Sequence, residues 1–320
     1  MNAAVVYAFD APPRYTTFAD PIPAEGEKLV TITAAGLHPI VKTLAAGTHY
    51  GSAATLPFVA GIDGVGRLDD GTRVCFGAVR SPFGTMAERA PASPILCFPL
   101  PDGIDDATAA GTANPAMSSW VALTGRAKFI AGESVLILGA TGVAGQLAVQ
   151  IAKRLGARHV IAAGRNPQSL EEAKSLGADS TISLDQEHAT LVANLRAEIA
   201  SNGVDVVLDY LWGPPAQAAL EALAQKGLSN AAPRVRFVQI GSSAGATIPL
   251  PAATLRSSGL ELLGSGFGSA SLDQIRRSIA DFFAAAATSP FRTTIRTAPL
   301  RDVETLWNTP DRGSRLVFQP

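Results

Sequence analysis

Residues 135–152 form a run of 18 positions without a charge, which reaches the lower limit for a membrane-spanning helix. Its interior excludes that reading. Gly139, Gly142 and Gly145 fall three apart in the middle, with Gln146 and Gln150 behind them, and a lipid-facing helix broken there would leave backbone amides unpaired. The run is therefore strand, tight turn and helix. Ser134–Leu138 is the strand, residues 139–145 the turn. In the helix Leu147, Ala148, Ile151 and Leu155 share a face that Gln150, Lys153 and Arg154 oppose. No membrane span is expected.

A strand that turns on glycines into a helix is the phosphate-binding opening of an α/β sheet. Thr141, Gly142, Val143 and Gly145 are the expected contacts. Gly142 lets a diphosphate approach the backbone and Gly145 lets helix and strand pack closely. The helix amino end adds unpaired amides and a partial positive charge. The pattern departs from the usual one at its first glycine, where Ala140 stands with Gly139 just before it. The alternative is a tight turn in some other α/β protein.

The end of the next strand discriminates among cofactors. A carboxylate there would hold the ribose hydroxyls of NAD or of S-adenosylmethionine. His159-Val-Ile-Ala-Ala-Gly-Arg165-Asn166 offers instead an arginine and an amide, 23 positions after Gly142. A guanidinium grips an adenosine 2′-phosphate through paired charge-assisted hydrogen bonds, so NADPH is the expected cofactor. Arg165 as a solvated loop residue is the alternative. Ile240, Gly241, Ser242 and Phe267 lie in small-residue loops after later strands, and either border the nicotinamide or form ordinary turns.

Of the 320 residues 47% are apolar and 17% charged, which suffices to bury two domain cores. Lys and Arg number 26 against 27 Asp and Glu, so no positive field is available to attract nucleic acid or an acidic membrane. Cys75 and Cys97 are too few for a disulfide framework and lack metal-finger spacing, so reduced thiols in a cytoplasmic protein are expected. Asp10 and the Pro12-Pro13 pair arrive too early for a signal peptide.

Short β-type runs at 28–34, 57–60, 72–76 and 95–98 suggest a small, irregular β domain. From about Ser134 strands alternate with helices, as in a parallel sheet. Strands are expected at 134–138, 159–163, 180–184, 204–209, 235–240 and 260–264, and helices at 143–155, 168–176, 187–201 and 215–225. A helix at 272–287 and strands at 292–297 and 315–318 then return to the first domain. The fold class is α/β. Residues 1–114 with 270–320 form one expected domain, and 115–269 the inserted dinucleotide-binding domain.

The ordered set Ala35-Gly-Leu-His-Pro39, Pro57-Phe-Val-Ala-Gly-Ile-Asp-Gly-Val-Gly66, the 139–145 turn, Val204-Asp-Val-Val-Leu-Asp209 and Arg315-Leu-Val-Phe318 resembles one family over nearly the whole chain. That family is the zinc-independent quinone oxidoreductase branch of the medium-chain dehydrogenase/reductase superfamily. The resemblance implies a GroES-like β domain, a Rossmann doubly wound parallel sheet of six strands, and a homodimer. Zinc-containing relatives hold their metal through a cysteine, a histidine and a further cysteine or acid. The matching positions here carry His38, Ile62 and Asn114, so no metal site is expected. Without a Lewis acid the suited reaction is hydride transfer from NADPH to a small conjugated acceptor, a quinone or an enone or 2-alkenal.

Candidate proton donors are His38, Lys42 and Tyr50, in the segment that lines the substrate site of relatives. The resemblance places Asp63 beside the nicotinamide ribose, Ser118 and Trp120 beside the nicotinamide, and Arg315 at the cofactor phosphates. The competing readings are a buried, satisfied histidine, a turn-capping aspartate, a packing tryptophan and an exposed strand arginine. Two other readings of the whole chain stand beside these: an NADPH-binding sensor or structural protein with little turnover, and an atypical metal-dependent alcohol dehydrogenase.

Overall fold

Alternation of inward and outward residues makes the first third of the chain a set of short, mostly antiparallel strands. The structure, a computed structural model, describes residues 1–53, 55–224, 232–311 and 313–320. Two units divide it, Met1–Pro115 with Ile279–Pro320, and Ala116–Ser278. The first unit opens with β1 (Asn2–Val6), β2 (Arg14–Thr17), β3 (Lys28–Gly36), α1 (Pro39–Ala45) and β4 (Phe58–Val59). It continues through β5 (Asp63–Leu68), β6 (Arg73–Gly77), β7 (Arg89–Ala92) and β8 (Cys97–Pro99) into α2 (Asp106–Trp120), which from Ala116 onward belongs to the second unit. β1 lies between β2 and β4 in a sheet of three, while β3, β5, β6 and β8 run side by side, with β7 also on β3.

The strand expected at 95–98 begins late. Pro94–Leu96 forms a 3-10 turn and pairing starts at Cys97, because Pro94 has no amide to give a ladder. α1, α2, β1, β2, β5 and β7 were not foreseen. α2 is built from Ala, Gly, Ser and Thr, with Pro115 inside it, and so shows no apolar stripe. It widens into a π turn, Val121–Ala127, closed by Lys128 at a left-handed φ of 52°.

The second unit carries β9 (Ser134–Leu138), α3 (Val143–Arg154), β10 (His159–Gly164), α4 (Pro167–Ser175), β11 (Ser180–Ser183) and α5 (His188–Asn202). β12 (Val206–Asp209), α6 (Gly213–Leu223), β13 (Arg234–Gln239), the unforeseen short α7 (Ala252–Arg256) and β14 (Gly259–Gly264) complete it. α6 starts two residues before its expected position, and Gln225, its expected end, lies outside the described residues. All six strands are parallel, in the order β11-β10-β9-β12-β13-β14 of a Rossmann sheet. β9 is buried at every position, as a central strand covered on both faces must be. Leu147, Ala148 and Ile151 of α3 are buried with it, and Leu155 is half-buried at the helix end.

The chain ends with α8 (Leu272–Thr288), β15 (Thr294–Pro299), α9 (Val303–Leu306) and β16 (Ser314–Gln319). β16 pairs with β15 on one side and antiparallel with β3 on the other, setting Val317 against Gly36. The tail thus completes the sheet that β3 began. The combination is the α/β architecture of a GroES-like β unit with a Rossmann sheet. Among the described residues no helix is long and apolar enough to cross a membrane.

Candidate functional site

The turn between β9 and α3 is tied to the neighbouring strand. Gly139 takes a φ of +92°, and the Gly139 and Ala140 amides both donate to the Ala163 carbonyl at 2.9 Å. The residue that needs left-handed freedom is thus Gly139, so Ala140 at the first glycine of the usual pattern does no harm. Gly142 precedes the first turn of α3, where no side chain caps the helix amides. A Cβ at Gly142 would meet only the Gly139 carbonyl oxygen, at 3.7 Å. At Gly145 it would strike the Gly139 carbonyl oxygen and, at 2.5 Å, the Ala140 Cα. The two glycines therefore do different work: Gly145 lets the helix close on the turn, and Gly142 leaves open backbone before free donors. Thr141 lies over Gly164, where a Cβ would overlap its methyl group, and Val143 is buried.

At the end of β10, Arg165 is exposed, and it is in none of the ion pairs among the described residues. Asn166 caps α4, its Oδ1 accepting the Ser169 amide at 2.9 Å, which leaves its Nδ2 to donate.

The end of β12 shows a residue that sequence reasoning missed. The Asp209 carbonyl accepts the Ile240 amide at 2.7 Å and the Gly241 amide at 3.1 Å, so it joins the ends of β12 and β13. Its Oδ1 accepts the Leu211 and Trp212 amides at 2.9 and 3.0 Å. Burial pushes this carboxyl up to about 6, although both amides oppose the shift. Gly241 presses on the Tyr210 carbonyl, which a Cβ would approach to 2.6 Å. Burial also pushes the Tyr210 phenol up to about 12, against the Ser118 and Ser119 hydroxyls beside it. Ser118 is thereby placed at the end of β12. Ser242 and Phe267 are exposed in their loops, and Trp120 is buried at the end of α2. The available signal for Asp209 was a carboxylate closing an apolar strand.

The first unit gathers a different group. His38 is 1% exposed at the start of α1, with Nε2 3.5 Å from Asp63 Oδ1. Neither ring nitrogen and neither Asp63 oxygen has a hydrogen-bond partner, which overturns both the satisfied histidine and the turn-capping aspartate. Arg315 is not an exposed strand residue either: it is buried on β16, and its Nη1 donates to the Leu37 carbonyl at 2.8 Å and to Asp311 Oδ2 at 2.7 Å. Burial pushes its guanidinium down from the usual range, opposed by Asp311 and Asp63. Lys42 is half-buried, and burial likewise pushes its ammonium down, with Asp311 opposing. Tyr50 is exposed, its ring 4.0 Å from that of His49, and so stands outside this buried group.

Among the described residues no three of His, Cys, Asp and Glu are grouped so as to hold a metal ion, and the Ile62 side chain, next to Asp63 in the chain, has no donor atom.

The family model for zinc-binding dehydrogenases matches residues 143–285. The chain is 29% identical across the whole of both chains to a probable NADPH-dependent quinone reductase of Emericella nidulans. It is 31% identical to the quinone oxidoreductase of Rattus norvegicus over 72% of this chain and 68% of that one. A mycobacterial protein solved as its complex with NADPH shares the fold, with a TM-score of 0.85 at 21% identity over the full length of both.

Proposed function

The chain belongs to the quinone oxidoreductase branch of the medium-chain dehydrogenase/reductase superfamily, and from that premise we propose that it reduces a quinone, enone or 2-alkenal without zinc. It is an oxidoreductase acting on a small molecule with NADPH as cofactor. The observation that carries the reading is the β9–α3 turn, with uncapped helix amides behind an open Gly142. Thr141, Gly142, Val143 and Gly145 would hold the diphosphate. Arg165 and the Asn166 amide would hold the 2′-phosphate. Ser118, Ile240, Gly241, Ser242 and Phe267 would border the nicotinamide.

NADPH supplies the hydride, so the protein must orient the acceptor and give one proton to its oxygen. Of the three candidate donors His38 is the one buried with both nitrogens unpartnered, and we assign the proton to it. Residues 1–114 with 270–320 are then the catalytic domain and 115–269 the cofactor domain. Pairing of the edge strand β14 with that of a second copy would make a homodimer.

The test is a steady-state screen with NADPH and NADH against quinones, enones, 2-alkenals and simple aldehydes, with zinc measured in the same protein. Quinone or enone turnover by zinc-free protein supports the reading. Turnover of simple aldehydes alone, or loss of activity with a chelator, refutes it.

A further inference from the structure

His38, Asp63 and Arg315 carry five buried side-chain nitrogen and oxygen atoms without a hydrogen-bond partner: both imidazole nitrogens, both carboxylate oxygens and the arginine Nε. Folded proteins seldom leave such atoms unpaired, and where they gather a catalytic role is a common reason. The three residues come from three elements, the starts of α1, β5 and β16. The imidazole is held in place from behind. A Cβ at Gly36 would overlap the His38 ring, so glycine makes the room the ring occupies. The Leu37 peptide, next to His38, is gripped on both sides by β16. Its amide donates to the Leu316 carbonyl at 2.8 Å and its carbonyl accepts from Arg315 Nη1 at 2.8 Å. Asp311 in turn holds the same Arg315 nitrogen at 2.7 Å.

We propose that Asp63 and Arg315 are positioning residues for His38: Asp63 draws the Nε2 hydrogen so that Nδ1 delivers the proton, and Arg315 fixes the Leu37 peptide that aims the ring. The inference rests on the reading of His38 as donor given above. In the step, the Nδ1–H bond of doubly protonated His38 breaks and its electron pair stays on Nδ1. An O–H bond forms on the acceptor, whose hydride and two electrons come from NADPH. The histidine is left neutral with hydrogen on Nε2, the form Asp63 accepts, and takes a proton back from solvent. Lys42 and Asp311 are the other charged groups of this cluster, and both interact with Arg315.

The experiment combines kinetics with nitrogen NMR of the imidazoles, of which the chain has four. With NADPH and 1,4-naphthoquinone, His38→Asn is expected to lower kcat about a hundredfold, the scale of a lost general acid. Asp63→Asn should lower kcat about tenfold while KM and the NADPH Kd hold within about threefold, with Asp63→Glu regaining part of the loss. The His38 signal should show hydrogen on Nε2 in the wild-type protein and a mixture of tautomers in Asp63→Asn. Arg315→Lys should lower kcat and leave the tautomer as it was. If His38→Asn loses activity but Asp63→Asn keeps both its kcat and its tautomer, the positioning role is overturned and the donor survives. If Asp63→Asn loses NADPH affinity in parallel with kcat, its role is to hold the cofactor or the fold and the proposal is likewise overturned. If His38→Asn keeps its kcat, the donor itself is wrong. Should the variants fail to fold, hydrogen on Nδ1 and a bare Nε2 in the wild-type protein overturns the proposal unaided.

Discussion

Asp209 Oδ1 accepts the Trp212 amide at 3.0 Å, and Trp212, at a φ of +54°, is one of three non-glycine residues among those described with a positive φ. Such a backbone costs on the order of 1–3 kcal/mol unless its surroundings hold it, and this carboxylate also binds the Leu211 amide. The charge itself is unwelcome: the rise from 3.8 to about 6 corresponds to about 3 kcal/mol against the ionised form. Because the folded value is the higher one, this group stabilises the fold below 3.8 and loses that contribution as pH rises to about 6. Asp209→Asn keeps the acceptor and removes the charge. It is expected to match or exceed wild-type stability at neutral pH and to flatten the urea midpoint across that window. Asp209→Leu should cost about 1–3 kcal/mol through two orphaned amides. Equal losses in the two variants would show that the acceptor is not what matters.

Arg236 is buried on β13 and serves three acceptors through four hydrogen bonds. Its Nη2 meets Glu133 Oε1 at 2.6 Å and the Asp205 carbonyl at 3.1 Å, its Nε the same carbonyl, and its Nη1 the Ala127 carbonyl at 3.0 Å. Ala127 ends the π turn, so the guanidinium holds a carbonyl at that helix end beside the Lys128 amide, which donates to the Leu123 carbonyl. Arg236→Ala is expected to lose about 3–5 kcal/mol in denaturant unfolding, because it strands the acid and the carbonyls together. Glu133→Gln keeps an oxygen for the guanidinium and should lose less. A loss under about 1 kcal/mol for Arg236→Ala would mean that water replaces the guanidinium.

The Rossmann half was legible because each of its signals is local. β9 is an unbroken apolar run, the glycines follow it at once, and α3 carries its own stripe. α2 was not legible, since small residues and an internal proline leave no stripe to read. The buried group was only half legible. His38 stood out by type and Asp63 and Arg315 by family pattern, but Arg315 reaches a carbonyl 278 residues away. No spacing rule brings that strand back beside β3, so its burial could not be foreseen from the alternation in Ser-Arg-Leu-Val-Phe.

Two glycines three residues apart should fail in different ways. Gly142 has a φ of −83° and open space around it, so Gly142→Ala fits the fold and should leave Tm unchanged. Any Cβ there occupies the approach to the helix amides, and NADPH affinity by fluorescence is expected to fall about tenfold or more. Gly145→Ala meets backbone instead and should destabilise by about 1–3 kcal/mol, the usual cost of overpacking. If Gly142→Ala binds NADPH like the wild-type protein, the diphosphate does not lie against that turn.

Arg165 tests the choice of cofactor because nothing else depends on it. Its side chain is exposed, so Arg165→Ala should change unfolding free energy by less than about 0.5 kcal/mol. Losing a paired, charge-assisted grip on the 2′-phosphate is expected to raise the NADPH Kd about tenfold, or about 1.4 kcal/mol, and to leave the NADH Kd as it was. Arg165→Asp goes further, since a carboxylate repels that phosphate and accepts from ribose hydroxyls. It should reverse the ratio of kcat/KM for the two cofactors. Asn166 offers the phosphate one neutral donor, Nδ2, because its oxygen already caps α4, and so replaces only part of a paired, charge-assisted grip. An Arg165→Asp variant with the wild-type cofactor ratio would move 2′-phosphate recognition to another residue.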